Sequence, residues 1–364
     1  MDPATLRERA VHALRYSFLG DSLSMPVHWY YSVADIYKAF EGGVTKLESA
    51  PTLHPSSIMS LHSTAHGGRE GTEGGTTEIV GDVILKGKRQ YWGVANMHYH
   101  QGMKAGENTL NLQCARLVLR EVAQGPYNPD TFLADYVAYM TADPPAYHDT
   151  YAESFHRGFF DNMQGGKDLH ECGAATHDTA SIGGLATIAP LALPSLLRGM
   201  SVVDVQRVCR THLHLTHPSD TLYSVCDDYV SLISELLHIE EGIDPSTIVE
   251  AYLLSASPTA TPAEWMKSAK DTEVVGGVYS PACYISDSWP STLYLAYKYL
   301  HSTGPDSVKQ GLLANANVGG DNCHRGAVLG VILGLCTVDT EADTLYSGLV
   351  EHDAIEKEIQ TAIE

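Results

Sequence analysis

Four short polar clusters in this sequence have residue types that could bind a ligand or catalyse a reaction. Each lies where a predicted helix begins or ends, and backbone N–H groups at helix starts are free to face a ligand. Capping or a turn would account for any one cluster, because Asp, Asn and Gly are common at such positions. Four clusters in one helical chain instead favour a shared polar site. They are Gly20-Asp21-Ser22, Gly106-Glu107-Asn108-Thr109, residues 176–181 (THDTAS) and residues 319–325 (GGDNCHR).

Cys323, in the fourth cluster, is a candidate nucleophile. At a helix start, the helix dipole and exposed N–H groups would lower the pKa of its thiol and favour the thiolate. His177, His324 or a histidine of the 54–100 segment could then act as its base. The same position equally suits an inert small residue that only fills space.

Residues 50–106 are rich in Gly, His, Ser and Thr and have little helical periodicity. A stretch this long in a helical protein is more often functional than idle. His98 and His100 would present both imidazoles on one face of a strand, which is a common metal-ligand geometry. Surface or hydrogen-bonding histidines suit the same pattern, so both interpretations stay open.

Two parts of that segment suggest local structure. Residues 67–69 and 74–77 are glycine-rich, which suits either a loop around a ligand's phosphates or an ordinary surface loop. Residues 78–92 predict a small β-hairpin that turns near Gly87.

Helical periodicity dominates the rest of the chain, where apolar residues recur every three or four positions. In the last strong helix Gly326, Gly330 and Gly334 recur every four residues, although glycine is a poor helix former. This spacing predicts close contact with another backbone and a central position for that helix. Predicted helices cover residues 6–18, 110–118 and 222–237, others begin at Thr150, Pro262 and Pro290, and the last runs from Asn322 to about Leu335.

Composition narrows the functional classes. The 364 residues include 44 acidic and 23 basic side chains, a formal net charge of −21. That charge disfavours binding to nucleic acid or to an anionic membrane surface. The seven cysteines are scattered, which predicts reduced thiols in a cytoplasmic protein, and no apolar run approaches a membrane span. No linker or repeat divides the chain, so we expect one domain covering residues 1–364.

The fourth cluster is part of a longer family resemblance. Asn317-Val-Gly-Gly-Asp321-Asn-Cys-His and the Gly-rich helix after it resemble the C-terminal signature of the ADP-ribosylglycohydrolases. That family includes dinitrogenase reductase-activating glycohydrolase, and the J1 crystallins are related to it. Leu19-Gly-Asp21-Ser-Leu-Ser-Met-Pro26 is similar to the family's opening motif, and His217-Pro218 and Trp289-Pro290 follow in the expected order. The resemblance implies a compact orthogonal bundle of many helices.

The resemblance also implies a chemistry. The family hydrolyses ADP-ribosyl bonds with two Mg²⁺ ions, which oxygen ligands hold beside the ribose. This chain departs from the ligand pattern, because Asn108 and Cys323 stand where carboxylates are expected and His324 replaces a hydroxyl. One Mg²⁺ ion could remain on Asp21, Glu107 and Asp321. A softer metal such as Zn²⁺ could instead recruit Cys323 and His324.

The sequence therefore predicts a hydrolase that cleaves a glycosidic or related C–N bond of an ADP-ribosyl or nucleoside-like small molecule. Two alternatives stay open: an enzyme on the same scaffold that uses Cys323, and a non-catalytic binding or structural relative. We expect the fold to bring Glu107 and Asp321 together. The predicted catalytic residues are Glu107, Asp321, Cys323 and His177, the predicted substrate contacts are Asp178, Ser181, Gly319, Gly320, Asn322 and His324, and the predicted metal ligands are Asp21, Glu107 and Asp321.

Overall fold

The computed structural model describes residues 2–59, 79–301 and 306–364. Across these ranges the chain forms 17 α-helices and a few 3-10 turns, and its only β pairing is a set of isolated bridges. The prediction of an all-α fold is confirmed. The glycine-rich stretches at 67–69 and 74–77 lie outside the described residues.

The helices are α1 (Pro3–Ser24), α2 (Val33–Ala39), α3 (Ile79–Asp82), α4 (Leu110–Gln124), α5 (Pro129–Thr141), α6 (Ser154–Gln164), α7 (Ile188–Leu197), α8 (Val202–His214), α9 (Asp220–Leu237), α10 (Pro245–Ala256), α11 (Pro262–Ser268), α12 (Asp271–Val274), α13 (Ile285–Leu300), α14 (Ser307–Val318), α15 (Asn322–Cys336), α16 (Thr340–Tyr346) and α17 (His352–Ile363).

Helices α1 and α15 pack against each other at the centre of the molecule. The glycines of α15 make this approach possible, because a Cβ atom at Gly330 would overlap the carbonyl oxygen of Tyr16, and one at Gly334 would crowd the backbone of Ala13. Every residue of α15 from Asn322 to Leu335 is buried. The central position predicted for this helix is therefore confirmed, and its first turn is held rigidly inside the protein.

Side-chain caps fix several helix starts. The hydroxyl of Ser219 accepts a hydrogen bond from the amide of Leu222 at the start of α9. Asp339 accepts from the amides of Glu341 and Ala342 at the start of α16. Such caps satisfy backbone donors that the helix itself leaves unpaired.

Three local predictions were wrong. Residues 79–92 form the kinked turn α3 and a 3-10 turn rather than a hairpin, because the chain doubles back at once through the amide of Gly81 to the carbonyl of Ile84. Helix α6 begins at Ser154 and not at Thr150, whose hydroxyl donates to the carbonyl of Tyr99 instead. Helix α13 begins at Ile285, before Pro290, and Ile285, Ser288 and Trp289 are buried against the core.

One large hydrophobic cluster includes residues from most of the helices. Whether the chain is one folding domain stays a prediction. No helix in the described part of the chain has both the length and the apolar character needed to cross a bilayer.

Candidate functional site

Four side chains from three elements that are distant in sequence meet beside one small cavity. Asp321 is the residue before α15, and His324 lies in the first turn of that helix. His28 follows the 3-10 turn that ends α1, and Glu153 immediately precedes α6. The rigid central pair of α1 and α15 therefore positions three of these four side chains.

His324 joins the start of α15 to the starts of α4 and α6. Its Nδ1 atom lies 2.6 Å from Oδ1 of Asp321, and its Nε2 atom lies 3.1 Å from Oε1 of Glu153. The side chain of Asn111 is 2.7 Å from the same Nε2 atom and donates to Glu153 at 2.8 Å. The starts of α15, α4 and α6 are thus brought together, and Asn111 makes the contact on the α4 side.

A second chain of contacts leads from Asp321 in the opposite direction. Nε2 of His28 is 3.0 Å from Oδ1 of Asp321, and Nδ1 of His28 is 2.7 Å from Nε2 of His100. Nδ1 of His100 donates to Oδ1 of Asp149 at 2.8 Å. The backbone amide of Leu110 donates to the other oxygen of Asp149, which anchors this chain to the first residue of α4.

The electrostatics of the cluster follow from burial and close pairing. Burial opposes ionisation of Asp321, but the adjacent His324 and His28 rings hold the pKa of its carboxyl well below the usual value. The carboxylates of Asp321 and Glu153 outweigh burial at His324 and raise its pKa. Burial lowers the pKa of His28 to about 3. Oδ2 of Asp321 is buried and has no hydrogen-bond partner among the described residues.

The cavity beside these side chains is narrow. Its volume is about 10 Å³, which is close to the space that one water molecule or ion requires. The ring of Trp29 stacks on His28 with centroids 3.8 Å apart and meets Tyr151 edge to face. The lining residues are His28, Trp29, His100, Thr109, Leu110, Asn111, Asp149, Tyr151, Glu153 and His324.

Asp21 is fully buried and its two carboxylate oxygens are engaged by the start of α4. Oδ1 accepts from the hydroxyl of Thr109 at 2.6 Å, and Oδ2 accepts from the side-chain amide of Asn108 and the backbone amide of Thr109, each at 2.9 Å. Burial raises the pKa of Asp21, although these hydrogen bonds oppose it. Asn108 therefore donates to Asp21 where a second carboxylate would repel it.

Glu107 has a different environment from Asp321. Its carboxylate accepts from the backbone amide of Lys104 at 2.6 Å and lies 2.6 Å from the ring of His148, an exposed residue. The partners of Asp321 are His28 and His324, so the two carboxylates share no partner in the described part of the chain. Glu107 and Asp321 therefore make separate sets of contacts, and their joint action in one site stays a prediction.

The third cluster lies against the start of α6. Asp178 accepts hydrogen bonds from the hydroxyls of Ser154 and Thr176, which lower its pKa although burial opposes them. Ser181 is buried beside the first residues of α13, where its backbone pairs with Tyr284. His177 is exposed, whereas Cys323 is fully buried, so the structure does not bring this predicted base to the thiol.

The expectation of a thiolate at Cys323 was wrong. Its side chain is fully buried in a small apolar cluster with Met25 and Met103. The thiol donates to the carbonyl oxygen of Asp21 at 3.5 Å. Burial and the nearby carboxylate of Asp21 raise the pKa of the thiol well above its usual value. The effect of the helix start is therefore smaller than the effect of burial.

Gly319, Gly320 and Asn322 are buried and make structural contacts. Both glycines have a positive φ, near 70°, and the amide and carbonyl of Gly320 pair with the backbone of Tyr30 and Trp29. The side-chain amide of Asn322 donates to the carbonyl of Ala316 at 2.9 Å. These contacts fix the turn that places Asp321 against His324, which lines the cavity.

The residues around Asp321 do not fit a pair of Mg²⁺ ions. Such a pair needs several oxygen ligands. Both oxygens of Asp21 already accept hydrogen bonds, and Glu107 is paired elsewhere. Asp321 is left with nitrogen donors as its nearest neighbours.

Two groups of side chains nevertheless place possible metal ligands close together. His28, Asp321 and His324 each offer one atom within 4.8 Å of the others, and His28, His100 and Cys323 do the same. The described residues therefore include candidate ligands for a divalent metal, with nitrogen and sulfur prominent among them.

Sequence patterns missed most of the cluster. Glu153 has the spacing of a capping residue, and that pattern is the same whether the carboxylate faces a helix or a cavity. His98 and His100 lie on a loop, where His98 donates to the carbonyl of Pro26 and His100 alone enters the cluster. The position of His28, two residues after Pro26 of the opening motif, was the signal available for that residue. Asp149 had no comparable local signal.

Comparison with known proteins identifies a matching family and a solved structure of similar fold. The family model described as ADP-ribosylglycohydrolase matches residues 2–338. A search of curated proteins found no match. A solved structure titled "ADP-ribosylglycohydrolase-related protein complex" is similar at a TM-score of 0.58 and 15% identity, over 99% of this chain and 98% of that chain. At that identity the likeness shows the fold alone.

Proposed function

The chain belongs to the ADP-ribosylglycohydrolase family, and we propose that it hydrolyses a glycosidic or related C–N bond of an ADP-ribosyl or nucleoside-like small molecule. The observation that carries the proposal is the chain of contacts from Asp321 through His324 to Glu153, in which His324 and Glu153 line the cavity. Two carboxylates joined by an imidazole are suited to bond cleavage at a sugar's anomeric carbon. The family match supports the hydrolase class.

Each side chain has a role in this proposal. Cleavage passes through a state in which the ribose carries positive charge, and the carboxylates of Glu153 and Asp321 stabilise that charge. Glu153 faces the cavity and accepts a proton from the attacking water. His324 orients Glu153, because it contacts both carboxylates at once.

The size of the cavity constrains how a substrate binds. A volume of about 10 Å³ holds a water molecule but not an ADP-ribosyl group. The anomeric end would therefore approach the cavity mouth, and the nucleotide would lie outside it. Trp29 and Tyr151 line the same cavity and offer aromatic surfaces to the sugar.

The two alternatives differ in how much the geometry supports them. Nucleophilic catalysis by Cys323 is disfavoured, because its thiol is buried and protonated beside Asp21. A non-catalytic binding protein would keep the same fold but would turn over none of the substrates tested. Activity measurement separates this alternative from the proposal.

The test uses ADP-ribose linked through its anomeric carbon to a guanidinium nitrogen, and a second probe linked to a serine hydroxyl. We expect release of ADP-ribose from at least one probe, and loss of release in Asp321→Asn. Asp130→Asn is the matched control, because Asp130 also pairs with a histidine but is exposed. Equal activity of Asp321→Asn and the parent chain would refute the proposed site.

A further inference from the structure

Asn111, in the first turn of α4, joins the cavity to a series of buried side chains outside it. Its amide nitrogen donates to Oε1 of Glu153 at 2.8 Å and lies 2.7 Å from Nε2 of His324. Its amide oxygen lies 3.1 Å from Nε2 of His156, which belongs to α6. Nδ1 of His156 lies 2.6 Å from the hydroxyl of Tyr136 in α5. Three helices therefore contribute to one continuous series of hydrogen bonds.

The direction of these hydrogen bonds follows from the carboxylate of Glu153. An ionised carboxylate only accepts, so the amide nitrogen of Asn111 faces Glu153 and the amide oxygen faces His156. Nε2 of His156 therefore donates. Burial lowers the pKa of His156 well below its usual value, so the ring is neutral and carries a single proton. Nδ1 of the ring then accepts from the hydroxyl of Tyr136.

The hydroxyl of Tyr136 makes the His156 ring a fixed donor. The ring is held at both nitrogens, and accepting at Nδ1 strengthens donation at Nε2, because hydrogen bonds in a series reinforce one another. Without the hydroxyl, Nδ1 would be a buried acceptor that has lost its donor, and the ring would be held at one nitrogen only. The amide of Asn111 would then be freer to turn over, which would bring its oxygen against the carboxylate of Glu153.

We propose that Tyr136 and His156 are positioning residues that act on the reaction through Asn111. They hold the Asn111 amide with its nitrogen toward Glu153 and His324, so that the carboxylate and the ring stay in one arrangement. The proposal rests on the role as a base proposed above for Glu153. Neither Tyr136 nor His156 lines the cavity, so each acts only through the side chain that does.

A similar pair of side chains does not reach the cavity and provides a control. The hydroxyl of Tyr127 lies 2.6 Å from Nδ1 of His212, the same distance as between Tyr136 and His156. Nε2 of His212 lies 3.0 Å from the hydroxyl of Thr187, which is not among the residues that line the cavity. Tyr127→Phe and Tyr136→Phe therefore remove the same group from the same kind of contact, and only the second contact leads to the site.

The first experiment measures this connection without using catalysis. The ¹⁵N NMR signals of the full chain, labelled at its histidine rings, report the hydrogen bonding of each imidazole nitrogen. Tyr136→Phe should shift the ring signals of His156 and also those of His324. Tyr127→Phe should shift the signals of His212 and leave those of His324 unchanged. A His324 ring that responds to neither variant, or equally to both, would overturn the proposal.

The second experiment measures release of ADP-ribose from the probes described above. Tyr136→Phe should lower kcat by about three- to tenfold, as expected for the loss of one hydrogen bond, with little change in KM. Tyr127→Phe should leave both constants unchanged, although both variants should become easier to unfold in urea. Equal kcat values for the two variants would show that Tyr136 does not act on the reaction and would overturn the proposal.

A double-mutant cycle tests whether the effect passes through Asn111. In the Asn111→Ala background, Tyr136→Phe should lower kcat no further, because the amide through which it acts is gone. An additive loss in the double variant would mean that Tyr136 acts by another route, and this would overturn the proposal.

Replacements of His156 test the donor itself. The amide nitrogen in His156→Gln can lie close to the position of Nε2, whereas the shorter side chain in His156→Asn does not reach Asn111. The glutamine variant should therefore retain more of kcat, and the opposite order would contradict the proposal. If Tyr136→Phe does not fold, this comparison and the His324 signals of the glutamine variant replace it. A chain with the predicted His324 shift that cleaves no ADP-ribosyl probe would contradict the proposed function alone.

Discussion

At the scale of single residues, the surroundings of a carboxylate decide what it can do. Glu107 and Glu153 both lie close to a helix start, and a local sequence pattern does not distinguish them. Glu153 contacts His324 and Asn111 inside the cavity. Glu107 pairs with a histidine whose side chain is 82% exposed, where solvent weakens any electrostatic effect.

The two glutamates should therefore differ in substitution experiments. We expect Glu153→Gln to lower the rate of ADP-ribose release by about 10²- to 10⁴-fold, as loss of a general base does. Glu107→Gln should lower it by less than about tenfold, since only an exposed ion pair is lost. Steady-state kinetics on the same probe measures both effects. A larger loss of rate in Glu107→Gln than in Glu153→Gln would support the catalytic role that the sequence predicted for Glu107.

Cys323 gives a second residue-scale prediction. Its thiol is buried against Met25 and Met103, so Cys323→Ala should retain most of the activity and lose stability through a small cavity. The cost in the free energy of unfolding should be about 1 kcal/mol, close to the value for one buried methylene-sized group. Urea unfolding and the hydrolysis assay measure the two quantities. A loss of activity by several orders of magnitude, with the fold intact, would show that the thiol takes part in the reaction.

Local patterns and distant contacts explain how far the sequence could predict the structure. The glycine spacing in α15 predicted a close backbone contact correctly, because steric exclusion acts at each glycine separately. The site was predicted less well, since His28 and Asp321 are 293 positions apart and only the fold joins them. Burial of Cys323 reversed the pKa shift expected from its helix position for the same reason.

At the scale of elements, the contact between α1 and α15 fixes the site. Gly330→Ala would place a methyl group against the backbone of Tyr16, which cannot move without shifting α1. We expect a loss of roughly 1–3 kcal/mol in the free energy of unfolding, as for other overpacked cores. Gly311→Ala is the control, because the atoms nearest to its new methyl group are side-chain atoms of Leu333 and Tyr299. Equal costs for the two variants, measured in urea, would contradict the rigid contact.

The ion pair between α1 and α17 predicts how stability depends on pH. Arg15 donates to both oxygens of Glu356, at 2.9 and 2.6 Å, and although burial opposes this, the pairing lowers the pKa of Glu356 from 4.5 to about 2. The pKa of Glu356 is thus lower in the folded chain than the value of about 4.3 expected in the unfolded chain, so the ionised side chain stabilises the fold above about pH 4.3. This stabilisation is lost as the pH falls from about 4.3 to about 2.

Replacing Glu356 should flatten that part of the pH profile. Unfolding midpoints of Glu356→Gln should change less than those of the parent chain over the same acidic range. Glu341→Gln serves as the control, because its side chain is 62% exposed and its contact to Lys309 is longer, at 3.2 Å. An unchanged profile in Glu356→Gln would mean that other carboxylates dominate acid unfolding.

At the scale of the whole molecule, the net charge of −21 acts on every charged partner. A field of one sign attracts oppositely charged molecules over distances that shrink as salt is added. ADP-ribosyl groups are themselves anionic, so the charge of the molecule that carries the group becomes important. A basic carrier should approach this protein faster than an acidic one.

We therefore expect opposite salt dependences for two ADP-ribosylated peptides that differ only in flanking charge. Raising the ionic strength from about 0.01 to about 0.15 M shortens the Debye length from about 30 to about 8 Å. The kcat/KM of a lysine-rich peptide should fall over this range, because attraction to the acidic surface is screened. That of a glutamate-rich peptide should rise, because repulsion is screened, while kcat at saturation stays unchanged for both. Parallel responses of the two peptides would mean that the local charge at the cavity, and not the net charge, governs association.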